Sequence, residues 1–210
     1  MIHPATRLSF IDEQIGFGVI VTERLPAGTI TWVQDPLDQL LPADASSLPS
    51  GHYRATLEKY TFINRSGQRV LCWDIGRYMN HSCEANTFSP GLDFEIAIRD
   101  IEVGEQLTSD YGALNLEERL ECRCGSPRCR GVVEPEDFVR LAPEWDAMVR
   151  RAFPAVSRVP QPLWDLVTER ELVEKGIADP PSLPSILVHR VVAANGAAHR
   201  GENGAASPAW

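Results

Sequence analysis

The chain has 210 residues, with 20 basic and 29 acidic side chains, giving a formal net charge of −9. That length suits one domain with an appendage. The acidic balance argues against a general grip on phosphate backbones, so no direct nucleic-acid binding is expected, whereas a basic partner would be attracted. A hydrophobic fraction of 43% is enough for a core. No apolar run reaches the roughly 18 residues that a membrane-spanning helix needs. The first residues, Met1 to Arg7, have no signal-peptide core. A cytoplasmic or nuclear protein is expected, neither secreted nor membrane-bound. Five cysteines in such a chain point to metal binding rather than disulfides.

In chain order, residues 7–22 read as two short strands around Gly16-Phe17-Gly18. Leu25-Pro26-Ala27-Gly28 is a turn, and Thr29 to Val33 a β-rich run. Residues 34–51 are rich in Pro, Asp, Ser and Leu and read as a long surface loop. A short helix is predicted around Ala55 to Lys59. Tyr60 to Ile63 and Arg69 to Trp73 flank Asn64-Arg-Ser-Gly67, a hairpin signal. Phe94 to Ile98 reads as a strand. Asn115, with Glu118 three residues on, predicts a capped helix start.

Beyond the last cysteine the periodicity changes. Trp145, Met148, Val149, Ala152 and Phe153 share one helix face, with Pro143 expected in its first turn. Leu163, Leu166 and Val167 open a second helical face that stops near Gly176. A third is predicted from Pro184 to Val192, ending at Asn195-Gly196. Residues 196–210 are rich in Ala and Gly and are expected to be disordered.

Three clusters carry chemistry. Asn80-His81-Ser82-Cys83-Glu84-Ala85-Asn86 packs two amides, an imidazole, a hydroxyl and a thiol into seven positions. Residues 104–112, Gly-Glu-Gln-Leu-Thr-Ser-Asp-Tyr-Gly, form the second. Cys122, Cys124 and Cys129 form the third, at C-x-C-x4-C spacing. Zinc held by thiolates alone wants four of them in a tetrahedron. Of the two remaining cysteines, Cys72 lies in a predicted strand and Cys83 in the polar loop, so Cys83 is the expected fourth ligand.

These motifs resemble those of SET-domain protein lysine methyltransferases. Gly16-Phe-Gly18 with Val19-Ile-Val21 is similar to the family's first glycine motif. Arg77-Tyr-Met-Asn80-His81-Ser82-Cys83-Glu-Ala-Asn86 resembles its Arg-Phe-x-Asn-His-Ser-Cys-x-Pro-Asn. Glu105-Gln-Leu-Thr-Ser-Asp110-Tyr111-Gly112 resembles its Glu-Leu-x-x-Asp-Tyr-Gly, and Cys122 to Gly131 its post-SET zinc segment. The resemblance implies a mostly β fold of small curled sheets with a pseudoknot, plus the helical C-terminal extension. It divides the chain into a SET domain (6–116), a post-SET zinc segment (117–133), the extension (134–195) and the tail.

It also implies an activity: transfer of methyl from S-adenosylmethionine to lysine on a basic protein, histone-like or otherwise. A binding module without useful catalysis is the alternative. An unperturbed lysine is neutral less than about once in a thousand at pH 7, so a dry channel must lower its pKa. By likeness, Tyr111 orients the amine at the transfer point. Asn80 and His81 hold the cofactor through side chain and backbone. Gly16 and Gly18 admit its close approach, and Phe17 contributes main-chain groups. Arg77 braces the loop, Asn86 caps its own turn, and Glu105 and Asp110 accept backbone N–H groups. Ser109 stands where the family often has Phe or Tyr lining the lysine channel, which leaves room for higher methylation states. The C-terminal helices offer a possible homodimer contact or a cover for the substrate groove.

Overall fold

The computed structural model describes residues 1–42 and 51–191. Among these described residues, five small sheets account for the strands. β1 (Thr6–Asp12) and β2 (Gly16–Val21) form an antiparallel hairpin. β3 (Ile30–Val33) pairs with β9 (Phe94–Ala97), which in turn pairs with β8 (Thr87–Phe88). β6 (Arg69–Leu71) lies between β4 (Gln39–Leu41) and β5 (Thr61–Ile63). β7 (Asn80–His81) and β10 (Thr108–Ser109) run parallel. β11 (Leu120–Glu121) and β12 (Val132–Val133) close the cysteine segment. The helices are α1 (His52–Tyr60), α2 (Asp137–Ala152) and α3 (Arg170–Ala178).

Strand alternation divides the core. On β9, Phe94 and Ile96 face one way and join Ile30, Val33 and Phe88 beneath the helices. Ala97 faces the other way, toward Val19, Val21, Trp32 and Leu107. The C-terminal extension therefore shares the main core. Phe138, Trp145, Val149 and Phe153 are all buried against the β3-β9-β8 sheet. Gln161 fastens the extension further: its amide donates to the Gly28 and Val156 carbonyls at 2.8 and 2.9 Å, and its oxygen accepts from the Ile30 N–H at 2.8 Å.

Several expectations are corrected. The stretch read as a surface loop contains β4, because Gln39, Leu40 and Leu41 find an edge to pair with in β6. α2 begins at Asp137, so Pro143 lies in its interior rather than its first turn. The missing N–H costs the bond to Val139, which sits on the exposed side of the helix. The second helical face is split into a 3₁₀ turn, Trp164–Leu166, and α3. The Arg170 guanidinium takes the Trp164 and Val167 carbonyls there. The third is a single 3₁₀ turn, Ile186–His189. No helix starts at Asn115. That residue takes φ 55, and its side chain donates to the Ile63 and His189 carbonyls and accepts from the Val191 N–H. The tail expected at 196–210 lies outside the described residues, as does part of the 34–51 stretch.

Candidate functional site

The polar loop is entered through a 3₁₀ turn, Ile75–Tyr78, capped by the Asp74 carboxylate, which accepts from the Gly76 N–H at 2.9 Å. Met79 leaves that turn extended and feeds β7. Thr108 lies opposite Asn80, and Ser109 opposite His81, so two motifs distant in sequence become neighbours. Parallel pairing requires a long crossover; β8, β9 and the turn at Gly104 supply it. Asn86 fastens the two segments. Its amide donates to the Gln106 carbonyl at 2.8 Å, and its oxygen accepts from the Thr108 N–H at 2.9 Å. It thus bridges to the second motif rather than capping its own turn.

Tyr111 closes over this loop. Its N–H donates to His81 Nδ1 at 3.1 Å, and its hydroxyl donates to the Met79 carbonyl at 2.9 Å. Desolvation pushes the phenol up to about 12, so it stays protonated at neutral pH. α2 packs directly on the following residue: a Cβ at Gly112 would lie 3.0 Å from Asp137 Cβ and 3.4 Å from the Trp145 ring. Helix and catalytic-candidate turn are therefore fitted to each other.

The glycine motif meets Asn80 from the other side. The Asn80 amide donates to the Phe17 carbonyl at 3.1 Å and to Gln106 Oε1 at 2.9 Å. A Cβ on Gly18 would stand 2.6 Å from both Asn80 Nδ2 and Gln106 Oε1, so a larger residue there would displace both amide groups. Gly16 sits in the turn before it at φ 80. The Phe17 side chain is exposed and packs edge-on against Phe10 and Tyr78. Asn80 Oδ1 makes no hydrogen bond among the described residues and is not buried. It remains an acceptor for a cationic group beside the glycine motif. Arg77 is exposed, with its guanidinium over the Tyr78 ring at 5.3 Å, so it stacks rather than braces the loop.

The His81 ring is committed elsewhere. Nδ1 accepts the Tyr111 N–H, and Nε2 lies 3.3 Å from Cys83 Sγ. Desolvation lowers the His81 pKa, which keeps the ring neutral. An accepting Nδ1 in a neutral ring places the proton on Nε2, directed at the Cys83 sulfur. Asp110, 3.6 Å from Nδ1, does not reverse this, because it is engaged by Arg130.

Cysteine sulfurs gather below. Cys122 Sγ is 3.7 Å from Cys83 Sγ and 3.7 Å from Cys129 Sγ. A tetrahedron with metal–sulfur arms of about 2.3 Å has edges of about 3.8 Å, so these spacings fit a zinc ion. His81, Cys83, Cys122 and Cys124 also have ligand atoms within 4.8 Å of one another. Burial pushes the Cys83 thiol up to about 11 and the Cys122 thiol up too. At Cys124 burial is outweighed by the Cys83 N–H and Ser126 hydrogen bonds, and the pKa falls. Cys72 is buried apart from the group, its thiol pushed up to about 12.

Sequence reasoning missed three residues. Arg130 forks onto Asp110 at 2.7 Å through both terminal nitrogens. Its Nε lies 3.1 Å from Asp137 but off the hydrogen-bond line, so that contact is Coulombic. The cysteine segment, the residue before Tyr111 and the first turn of α2 are thus joined by one cation. Gln106 is the second, as the partner of Asn80. The third is Glu95, whose carboxyl accepts from Ser109 Oγ at 2.9 and 3.0 Å and from Thr87 Oγ1 at 2.5 Å. An acid on a strand between Phe94 and Ile96 was the available signal.

Residues 16–112 of the chain match the SET domain family. Among curated proteins it is similar to Histone-lysine N-methyltransferase ATX2 of Arabidopsis thaliana, 44% identical over 141 residues, covering 60% of this chain and 13% of that protein. Histone-lysine N-methyltransferase TRX1 of Oryza sativa subsp. japonica is 33% identical over 141 residues, covering 60% and 14%. The chain thus spans about a seventh of the length of these relatives. A solved structure, the crystal structure of KRYPTONITE in complex with mCHG DNA and SAH, aligns with a TM-score of 0.44 and 22% identity, covering 61% of this chain and 28% of that one. No helix among the described residues is long and apolar enough to cross a membrane.

Proposed function

We propose that this chain transfers methyl groups from S-adenosylmethionine to lysine side chains of a basic protein, with a histone as the first candidate. The observation that carries this is the Tyr111 phenol, protonated and fixed on the Met79 carbonyl beside the Asn80-His81 pair. The relatives named as histone-lysine N-methyltransferases support it, as does the net charge of −9. A histone would be met in the nucleus. The cofactor, when bound, supplies a methyl on sulfur; the lysine nitrogen forms its new C–N bond as the C–S bond breaks. Backbone at Gly16, Phe17 and Gly18, the open Asn80 oxygen, the His81 main chain and Tyr111 would hold it. The protein's task is orientation and exclusion of water, and the Tyr111 oxygen would align the incoming amine.

Labelled-methyl transfer to histones and to lysate proteins tests the proposal. Tyr111→Phe is expected to lower the rate about 100-fold or more, with the fold intact by circular dichroism. An unaffected rate would remove Tyr111 from the chemistry. A Tyr111 held through both its N–H and its hydroxyl favours the enzyme over a binding module of the same fold.

For the metal we propose Cys83, Cys122, Cys124 and Cys129 as zinc ligands, with His81 Nε2–H donating to the Cys83 sulfur. The domain limits of 6–116 and 117–133 follow from that reading. Metal analysis is expected to give about one zinc ion per chain, unchanged in Cys72→Ala and lost in Cys129→Ser. Retention in Cys129→Ser would put His81 in the tetrahedron. A homodimer through the C-terminal helices would rest on Val139, Leu172, Leu187 and Val188, the exposed apolar groups there.

A further inference from the structure

The face of β9 turned away from the helices carries an unexpected charge. Glu95 lies between Phe94 and Ile96, which point into the helical core, so its side chain projects to the opposite side, where Ala97 also lies. There it meets two hydroxyls. Ser109 Oγ donates to both carboxyl oxygens, at 3.0 and 2.9 Å, and Thr87 Oγ1 donates to Oε2 at 2.5 Å. Thr87 Oγ1 lies 3.4 Å from Ser109 Oγ, and also 3.1 Å from the Thr108 carbonyl. No cation pairs with Glu95 among the described residues.

The cluster adjoins the Tyr111 hydroxyl through one residue. Met79 Sδ is 3.9 Å from Ser109 Oγ, while the Met79 carbonyl accepts from Tyr111 Oη at 2.9 Å. Asp110, between Ser109 and Tyr111, turns the other way to Arg130. Ser109 and Tyr111 therefore both contact Met79, and Glu95 is joined to them through Ser109. Glu95 keeps partial surface while its carboxyl is enclosed. An enclosed carboxylate is normally matched by a cation or loses its charge; desolvation accordingly raises the Glu95 pKa. Two hydroxyl donors leave acceptor positions on its oxygens unused.

We propose that Glu95, oriented by Ser109 and Thr87, is a substrate-contact residue that receives the N–H groups of the target lysine amine. This rests on the methyltransferase reading and adds a selectivity to it. Serine at 109 leaves space beside the amine, and the carboxyl decides which amines use it. An unmethylated or monomethylated nitrogen can direct its lone pair at the methyl donor and an N–H at Glu95. A neutral dimethylamine has no N–H to offer, and in its protonated form the only N–H occupies the lone pair that must attack.

The test compares unmethylated and dimethylated versions of one histone tail peptide, using wild type, Glu95→Gln and Ser109→Ala. Glu95→Gln is expected to reduce kcat/KM on unmethylated lysine about tenfold and to spare the dimethylated peptide. Ser109→Ala, which frees the carboxyl from one of its two hydroxyls, is expected to give a smaller loss in the same direction. Calorimetry with S-adenosylhomocysteine is expected to be unchanged in both, separating this role from a structural one. Equal losses on the two peptides, or none, would overturn the inference while leaving the methyltransferase reading in place. Absence of wild-type transfer to any histone or lysate protein would sink that reading itself. In that event, equal calorimetric affinity of wild type for the lysine peptide and its norleucine analogue would remove the Glu95 contact as well.

Discussion

Arg130→Met is expected to destabilise the protein by about 3–5 kcal/mol, because it leaves the buried Asp110 carboxylate without a cation and Asp137 with Arg140 alone. The Asp110 and Asp137 side chains are each 1% exposed, and the Arg130 side chain 16%. Such a pair adds little over a well-packed apolar replacement of both partners, yet breaking it from one side is costly. Asp137 keeps Arg140, but Asp110 is left with the Gly112 N–H and a neutral His81. Activity should fall further than stability alone explains, because Asp110 sets the start of the Tyr111 turn. Denaturant unfolding measures the first effect and methyl transfer, at temperatures where the variant is folded, the second. Arg130→Met combined with Asp110→Asn should recover part of the lost stability. A single-variant loss below about 1 kcal/mol would show that water replaces the guanidinium.

Trp145→Ala is expected to cost about 3–5 kcal/mol, the range for a large aromatic removed from a core. Trp145 is 3% exposed, stacks on Phe88 at 5.7 Å between centroids and meets Phe138 edge-on at 6.4 Å. For a chain of this length the melting temperature should fall by roughly 10 °C. The same packing bears on truncation. A chain ending at residue 133 would expose Ile30, Phe88, Phe94 and Ile96, whose cover comes from α2 and the segment after it. It is expected to lose cooperative unfolding. A soluble truncated form with a sharp transition would show that the strands hold a core of their own.

Local readings succeeded where the signal was local. The β1-β2 hairpin, the β5-β6 hairpin and β9 follow from short β-prone runs bounded by turn residues. The apolar spacing around Trp145 marked the buried face of α2. Boundaries failed where a distant partner decided them. β4 exists because β6 offers an edge, and Asn115 gave up its capping role to hold Ile63, His189 and Val191. In the site, the residue types of Asn80, His81, Cys83 and Tyr111 were legible as a constellation. Their contacts were not, since the Asn80 amide turns to Phe17 and Gln106, and the His81 ring to Cys83 and Tyr111.

By itself the sequence determined which groups are candidates for chemistry here: a phenol, an amide–imidazole pair and a set of thiols, in an order that resembles the SET domain family. Tertiary structure alone decided that the C-terminal helices complete the core, that Arg130 joins the thiol segment to the Tyr111 turn, and that Glu95 faces Ser109. The reason is physical. Turn and strand preferences act over a few residues, whereas a buried charge takes its partner from wherever the fold brings one.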